Sequence, residues 1–117
     1  MKEFLLLFRN ISGENAYILS QEDMAEDMPA WQQWIGNIAM QGKLISTQPV
    51  EYQGQMITKS GIQPGPDKGT DNRLVAGFLI CKGTEEEVQQ WSFNCPILKY
   101  PHGSVEIRPL IPFQIDL

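Results

Sequence analysis

Two stretches of this chain are apolar on both of the faces that a β-strand presents. Phe4-Leu5-Leu6-Leu7-Phe8 is one, and Leu74-Val75-Ala76-Gly77-Phe78-Leu79-Ile80 is the other. Successive strand residues point to opposite sides of a sheet, so a strand with one wet face alternates apolar and polar residues. These two strands need cover above and below. The 117 residues hold two helical patterns, enough to cover one side only. The other side is left to a second copy of the chain, and a homodimer is expected.

The remaining elements follow from period and punctuation. Residues 2–9 read as the first strand and 10–19 as a loop built around Ser12, Gly13 and Asn15. Ser20-Gln21-Glu22-Asp23 is a helix start of the S-x-x-D type. Met24, Met28, Trp31, Ile35 and Ile38 then alternate in steps of four and three, which is one helical face. Pro29 predicts a kink or a restart, and Gly42 a left-handed cap. Residues 44–51 and 55–59 read as weaker strands joined in a hairpin near 52–54. Residues 60–73, rich in Gly, Pro and Asp, read as the longest loop. Thr84-Glu85-Glu86-Glu87 is a capping box, and Val88, Trp91 and Cys95 continue its helix until Pro96 stops it. Residues 103–109 form the last strand, with Val105 and Ile107 alternating with Glu106 and Arg108. The two prolines in the tail, residues 110–117, argue against a regular strand centre there. The order β-α-β-β-α-β predicts an α+β fold of ferredoxin-like type, an antiparallel sheet with both helices on one face, as one domain over residues 1–117.

Composition excludes several classes. The formal charge is −5 and the basic residues are scattered, so neither a nucleic acid nor a membrane surface is an expected partner. The apolar run at the start ends at Arg9, too short for a signal peptide, and no segment approaches the ~20 apolar residues of a membrane span. The expected compartment is the cytoplasm, where Cys81 and Cys95 stay reduced. Two Cys and the single His102 are too few for a zinc site and lack its short spacing, so no metal and no cofactor is expected. Both cysteines read as small core residues, and His102, between Pro101 and Gly103, as an exposed turn residue.

Taken together, several short stretches resemble the YCII-related family, often called DGPF-domain proteins. They are Met1-Lys2-Glu3-Phe4-Leu5-Leu6-Leu7, Trp31-Gln32-Gln33-Trp34-Ile35-Gly36, Gln41-Gly42-Lys43-Leu44, Gly77-Phe78, Cys95-Pro96-Ile97-Leu98 and Gly103-Ser104-Val105-Glu106-Ile107-Arg108-Pro109. The resemblance implies a ferredoxin-like fold that dimerises into an α+β barrel. The motif that names the family departs here. In Pro64-Gly65-Pro66-Asp67-Lys68-Gly69-Thr70-Asp71-Asn72 only Gly65 and Pro66 keep their places. Pro64 stands for the family's Asp, Asp67 for its Phe, Asp71 for its Lys and Asn72 for its Glu. The first helix also lacks the His of a His–Asp pair found in some relatives. The resemblance therefore implies no retained family acid–base site.

Candidate chemistry is sparse. Asp67 and Asp71 are the carboxylates that the long loop could offer as a base, against the plainer reading of a solvated turn. Arg9 and Arg108 are candidate anchors for a ligand anion, Arg108 and Glu106 otherwise forming a cross-strand or cross-subunit ion pair. Trp34, beside the apolar stripe of the first helix, is the candidate pocket wall or subunit contact. The leading reading is a small-molecule-binding or accessory protein with a cleft between sheet and helices. The alternative is a cofactor-free lyase or isomerase acting on a small compound, for example an aromatic one. A purely structural partner is the third class.

Overall fold

A computed structural model describes residues 2–11, 21–51, 53–65 and 73–113 of the chain. Its main sheet has four antiparallel strands in the order β2-β5-β1-β6. Here β1 is Lys2–Ile11, β2 Leu44–Pro49, β5 Arg73–Gly83 and β6 Ser104–Pro109. Helix α1, Gln21–Met40, connects β1 to β2, and α2, Glu85–Phe93, connects β5 to β6. This is the ferredoxin-like arrangement that the element order predicts, with the two most apolar strands, β1 and β5, in the centre.

The sheet has two different faces. Phe4, Leu6 and Phe8 of β1 and Leu79 and Cys81 of β5 are buried against Trp34 and Ile38 of α1, Val88 of α2, and Cys95 and Ile97. Both helices therefore cover one side. The alternate residues Leu5 and Leu7, opposite Ile80 and Phe78 in the register, face away and are half-buried. A bulge between Phe8 and Arg9 absorbs Ala76. It keeps Leu74 buried beside Asn10 while Arg9 stands opposite Val75 on the open face.

Local signals explain how the covered face is held. Thr84 caps α2: its hydroxyl accepts from the Glu87 N–H at 3.2 Å, and Glu87 reaches back to the Thr84 N–H at 3.0 Å. Lys43, just past α1, also donates to Glu87, so one carboxylate joins the start of α2 to the β2 end of the sheet. Gly42 takes the left-handed conformation expected of it, φ 72°. A single 3-10 turn, Pro96–Lys99, follows α2 and packs so closely on the start of β6 that a Cβ at Gly103 would lie 1.8 Å from the Ile97 carbonyl oxygen.

Four expectations are revised. Residues 44–51 and 55–59 do not pair. Instead β2 pairs with β5 as an edge of the main sheet, and β3, Gly54–Thr58, pairs with β4, Gly61–Gly65. The hairpin turn is therefore Lys59-Ser60, and part of the expected 60–73 loop is strand; its Gly and Pro content concealed it. Pro29 lies inside α1, which is a single helix, so the alternative of a second segment starting there is not what forms. The buried face of α1 is also rotated. Trp34 is 7 % exposed whereas Met28 is 47 % exposed, because Trp34 packs edge-on against Phe8 and donates Nε1–H to the Trp91 carbonyl at 2.9 Å. Lastly, among the described residues these core side chains pack between sheet and helices, where a cleft was expected. The Ser20 cap and the aspartates Asp67 and Asp71 lie outside the described residues.

Candidate functional site

The open face of the sheet gathers arginines that lie far apart in the sequence. The chain has three arginines, and the register puts Arg9, Arg73 and Arg108 on the rows that face away from the helices. Arg9 of β1 donates Nε–H to Glu106 Oε1 of β6 at 3.0 Å, and Arg108 donates from Nη1 to Glu106 Oε2 at 3.3 Å. The two guanidiniums, Arg9 first, hold the Glu106 carboxyl below its ordinary value. One carboxylate cannot neutralise two guanidiniums, so the group keeps an excess positive charge. The Arg9 terminal amino groups and Arg108 Nη2 are not used by Glu106. Leu5, Leu7 and Phe78 supply an apolar floor beside it. Guanidinium nitrogens that Glu106 leaves unused, at the flank of an apolar surface, suit a small planar anion, since the fork of Arg matches a carboxylate or a pair of ring oxygens.

The structure thus brings Arg9 and Arg108 together and puts Trp34 on the opposite side of the sheet. Trp34 belongs to an aromatic triad with Phe8 and Trp31, whose centroids lie 5.1 to 5.8 Å apart at steep angles. Its outer edge lines a depression of about 410 Å³ between α1 and the 3-10 turn, shared with Asn37, Asn94, Pro96 and Lys99. Beside this depression lies a cluster that sequence reasoning missed. Asp27 accepts from Lys99 Nζ at 2.7 Å and from the Tyr100 hydroxyl. Burial pushes its carboxyl up, but the Lys99 and Tyr100 hydrogen bonds outweigh this and leave it below the ordinary range. The available signal was spacing: Asp27, Trp31 and Trp34 are i, i+4 and i+7, so one carboxylate sits on the buried stripe. The cluster ties α1 to the turn before β6.

Other candidates fall into place without chemistry. Burial pushes the Cys81 thiol up to about 11 and the Cys95 thiol to about 12, so neither is a nucleophile near neutral pH. His102 is exposed in its turn. Among the described residues no three potential metal ligands converge, and no helix is long and apolar enough to cross a membrane.

Comparison with known proteins locates the fold. A solved structure of 5-chloro-2-hydroxyhydroquinone dehydrochlorinase (TftG) from Burkholderia phenoliruptrix AC1100, in complex with 2,5-dihydroxybenzoquinone, superposes with a TM-score of 0.53. The match covers 91 % of this chain and 90 % of that one at 18 % identity, so what the two share is the fold. No family profile and no curated protein matches the chain.

Proposed function

We propose that this chain is a YCII-related, homodimeric protein that binds a small planar anion on the open face of its sheet. The observation that carries this reading is the gathering of all three arginines of an acidic chain on that face, two of them sharing Glu106 beside an apolar floor. The centre of the face, Leu5, Leu7, Phe78 and Ile80, is the surface for the second copy. The ionic group on the β1–β6 flank is the surface for the ligand. Burying the floor removes water from the guanidiniums and strengthens their attraction for an anion.

Two measurements test it. Light scattering at micromolar concentration should return twice the chain mass. Calorimetric titration with planar aromatic carboxylates and hydroxyquinones should show binding that weakens tenfold or more, roughly 1.4 kcal/mol, in Arg108→Ala and in Arg9→Ala. Binding that is unchanged in both variants would remove the arginines from the site.

A second reading, a cofactor-free lyase or isomerase, draws on one observation: the dehydrochlorinase of like fold holds a dihydroxybenzoquinone. In that reading Asp67 or Asp71 is the base, and Arg9 or Arg108 holds the substrate anion. Absorbance change on incubation with chlorinated hydroquinones, abolished in Asp67→Asn or Asp71→Asn, would favour it over simple binding.

A further inference from the structure

The carboxylate of Glu106 divides its two oxygens between two arginines. Oε1 accepts from Arg9 Nε at 3.0 Å and Oε2 from Arg108 Nη1 at 3.3 Å. The strands set this arrangement. Glu106 and Arg108 are alternate residues of β6, opposite Leu7 and Leu5, and Arg9 follows Leu7 on the same row of β1. Guanidiniums drawn to one place repel each other, and the carboxylate between them offsets that repulsion.

Which donors are spent matters as much as the charge. A guanidinium presents its N–H groups in pairs along two edges, Nε with Nη2 and Nη1 with Nη2. The bond from Arg9 Nε leaves its Nη1–Nη2 edge whole, and the bond from Arg108 Nη1 leaves its Nε–Nη2 edge whole. Among the described residues no group other than Glu106 takes a hydrogen bond from either arginine. Each therefore keeps one two-donor edge. The side chains are 31 % exposed at Arg9, 35 % at Glu106 and 65 % at Arg108, so a ligand can reach the edges while Glu106 is only partly screened by water.

The charges of this group say how much anion it takes. Glu106 matches one guanidinium and leaves one positive charge over. On the same face Arg73 is engaged in an interaction of its own, and Glu3 and Lys82, directly opposed in the register, cancel each other. One further carboxylate completes the set. It can repeat what Glu106 does, with one oxygen on each guanidinium. A second ligand charge would fall among Leu5 and Leu7, apolar side chains that cannot solvate it, and would be repelled by Glu106.

We infer that Glu106 is the positioning residue of this surface: it holds Arg9 and Arg108 so that one ligand carboxylate bridges both, and its own charge restricts the ligand to a single anionic group on an uncharged planar body. The inference rests on the anion-binding reading proposed above. It adds the class of anion, an aromatic monocarboxylate in preference to a dicarboxylate.

Calorimetric titration at low ionic strength with terephthalate and with its monomethyl ester tests it, since the two share a ring and differ by one charge at neutral pH. The wild type should bind the monoester more tightly. Glu106→Gln should shift the ratio of the two dissociation constants toward the dianion by about tenfold or more, the scale of removing one like charge from a half-exposed site. Glu106→Asp, which keeps the charge and shortens the reach, should keep the wild-type preference while weakening both ligands. A purely structural role would change both ligands by one factor. That result in Glu106→Gln, with Arg9→Ala and Arg108→Ala still weakening both ligands, would overturn the role of Glu106 and spare the arginine site. A wild type that prefers terephthalate would overturn it whether or not the variants fold. A wild type that binds neither ligand, nor any other planar anion, would overturn the anion-binding reading as well.

Discussion

Leu6 and Leu7 are neighbours of identical chemistry on the same strand, yet the sheet treats them differently. Leu6 is fully buried under the helices, with a relative exposure of 0 %. Leu7 is half-buried on the open face, opposite Phe78 on one side and Glu106 on the other. The covered face is finished within one chain: aromatic rings, the capped helix α2 and the Asp27 cluster fill it. The open face is apolar at its centre and ionic at its flank, which is the composition of a contact surface. A strand that is apolar on both sides can serve folding with one side and assembly or binding with the other.

The largest expected effect tests the covered side. Leu6→Ala should destabilise the fold by about 3–4 kcal/mol in urea melts, since it removes buried methylenes and leaves a cavity. Leu7→Ala should cost about 1–2 kcal/mol at low protein concentration, in line with its partial burial. Its deficit should widen as concentration rises, as mass action requires of a residue used between copies. Equal, concentration-independent losses at the two positions would erase the distinction between the faces.

Thr84→Ala should cost about 1 kcal/mol through loss of the cap on α2, and this deficit should be the same at every protein concentration. The smallest effect concerns acid. The Arg9 and Arg108 guanidiniums hold Glu106 below the ordinary value of 4.5. The ion pair therefore contributes in full above that value and is lost as pH falls from it through the lower folded-state value. Glu106→Gln should make stability fall less steeply below about pH 4.5, with Glu87 and Asp27, also held low, supplying the slope that remains. An unchanged acid profile would mean that the arginines do not hold Glu106 in solution.

How much of this was legible depended on range. The cap at Thr84, the left-handed Gly42 and the two-faced strands β1 and β5 rest on contacts between near neighbours or on a period of two, and the sequence reading of each agrees with the structure. The element order was enough for the ferredoxin-like sheet. The pairing of 54–58 with 61–65 was not legible, because one exposed Ile per strand among Gly, Gln and Pro leaves no alternation to read. Nor was the face of α1. Met28 and Ile35 complete a helical stripe as well as Asp27 and Trp34 do, and the choice fell to Trp34 because Phe8 and the Trp91 carbonyl meet it there.

The site divides in the same way. Arg9 and Arg108 could be named from the sequence as anion anchors, but their joint grip on Glu106 required β1 and β6, almost a hundred residues apart, to lie side by side. Asp27 and Tyr100 met by the same route. Apart from β4, local pattern determined which segments become strands and helices, because backbone geometry and capping act over a few residues. Tertiary structure alone decided which side chains share a face, because that choice is made by burial and charge between segments that the chain order keeps far apart.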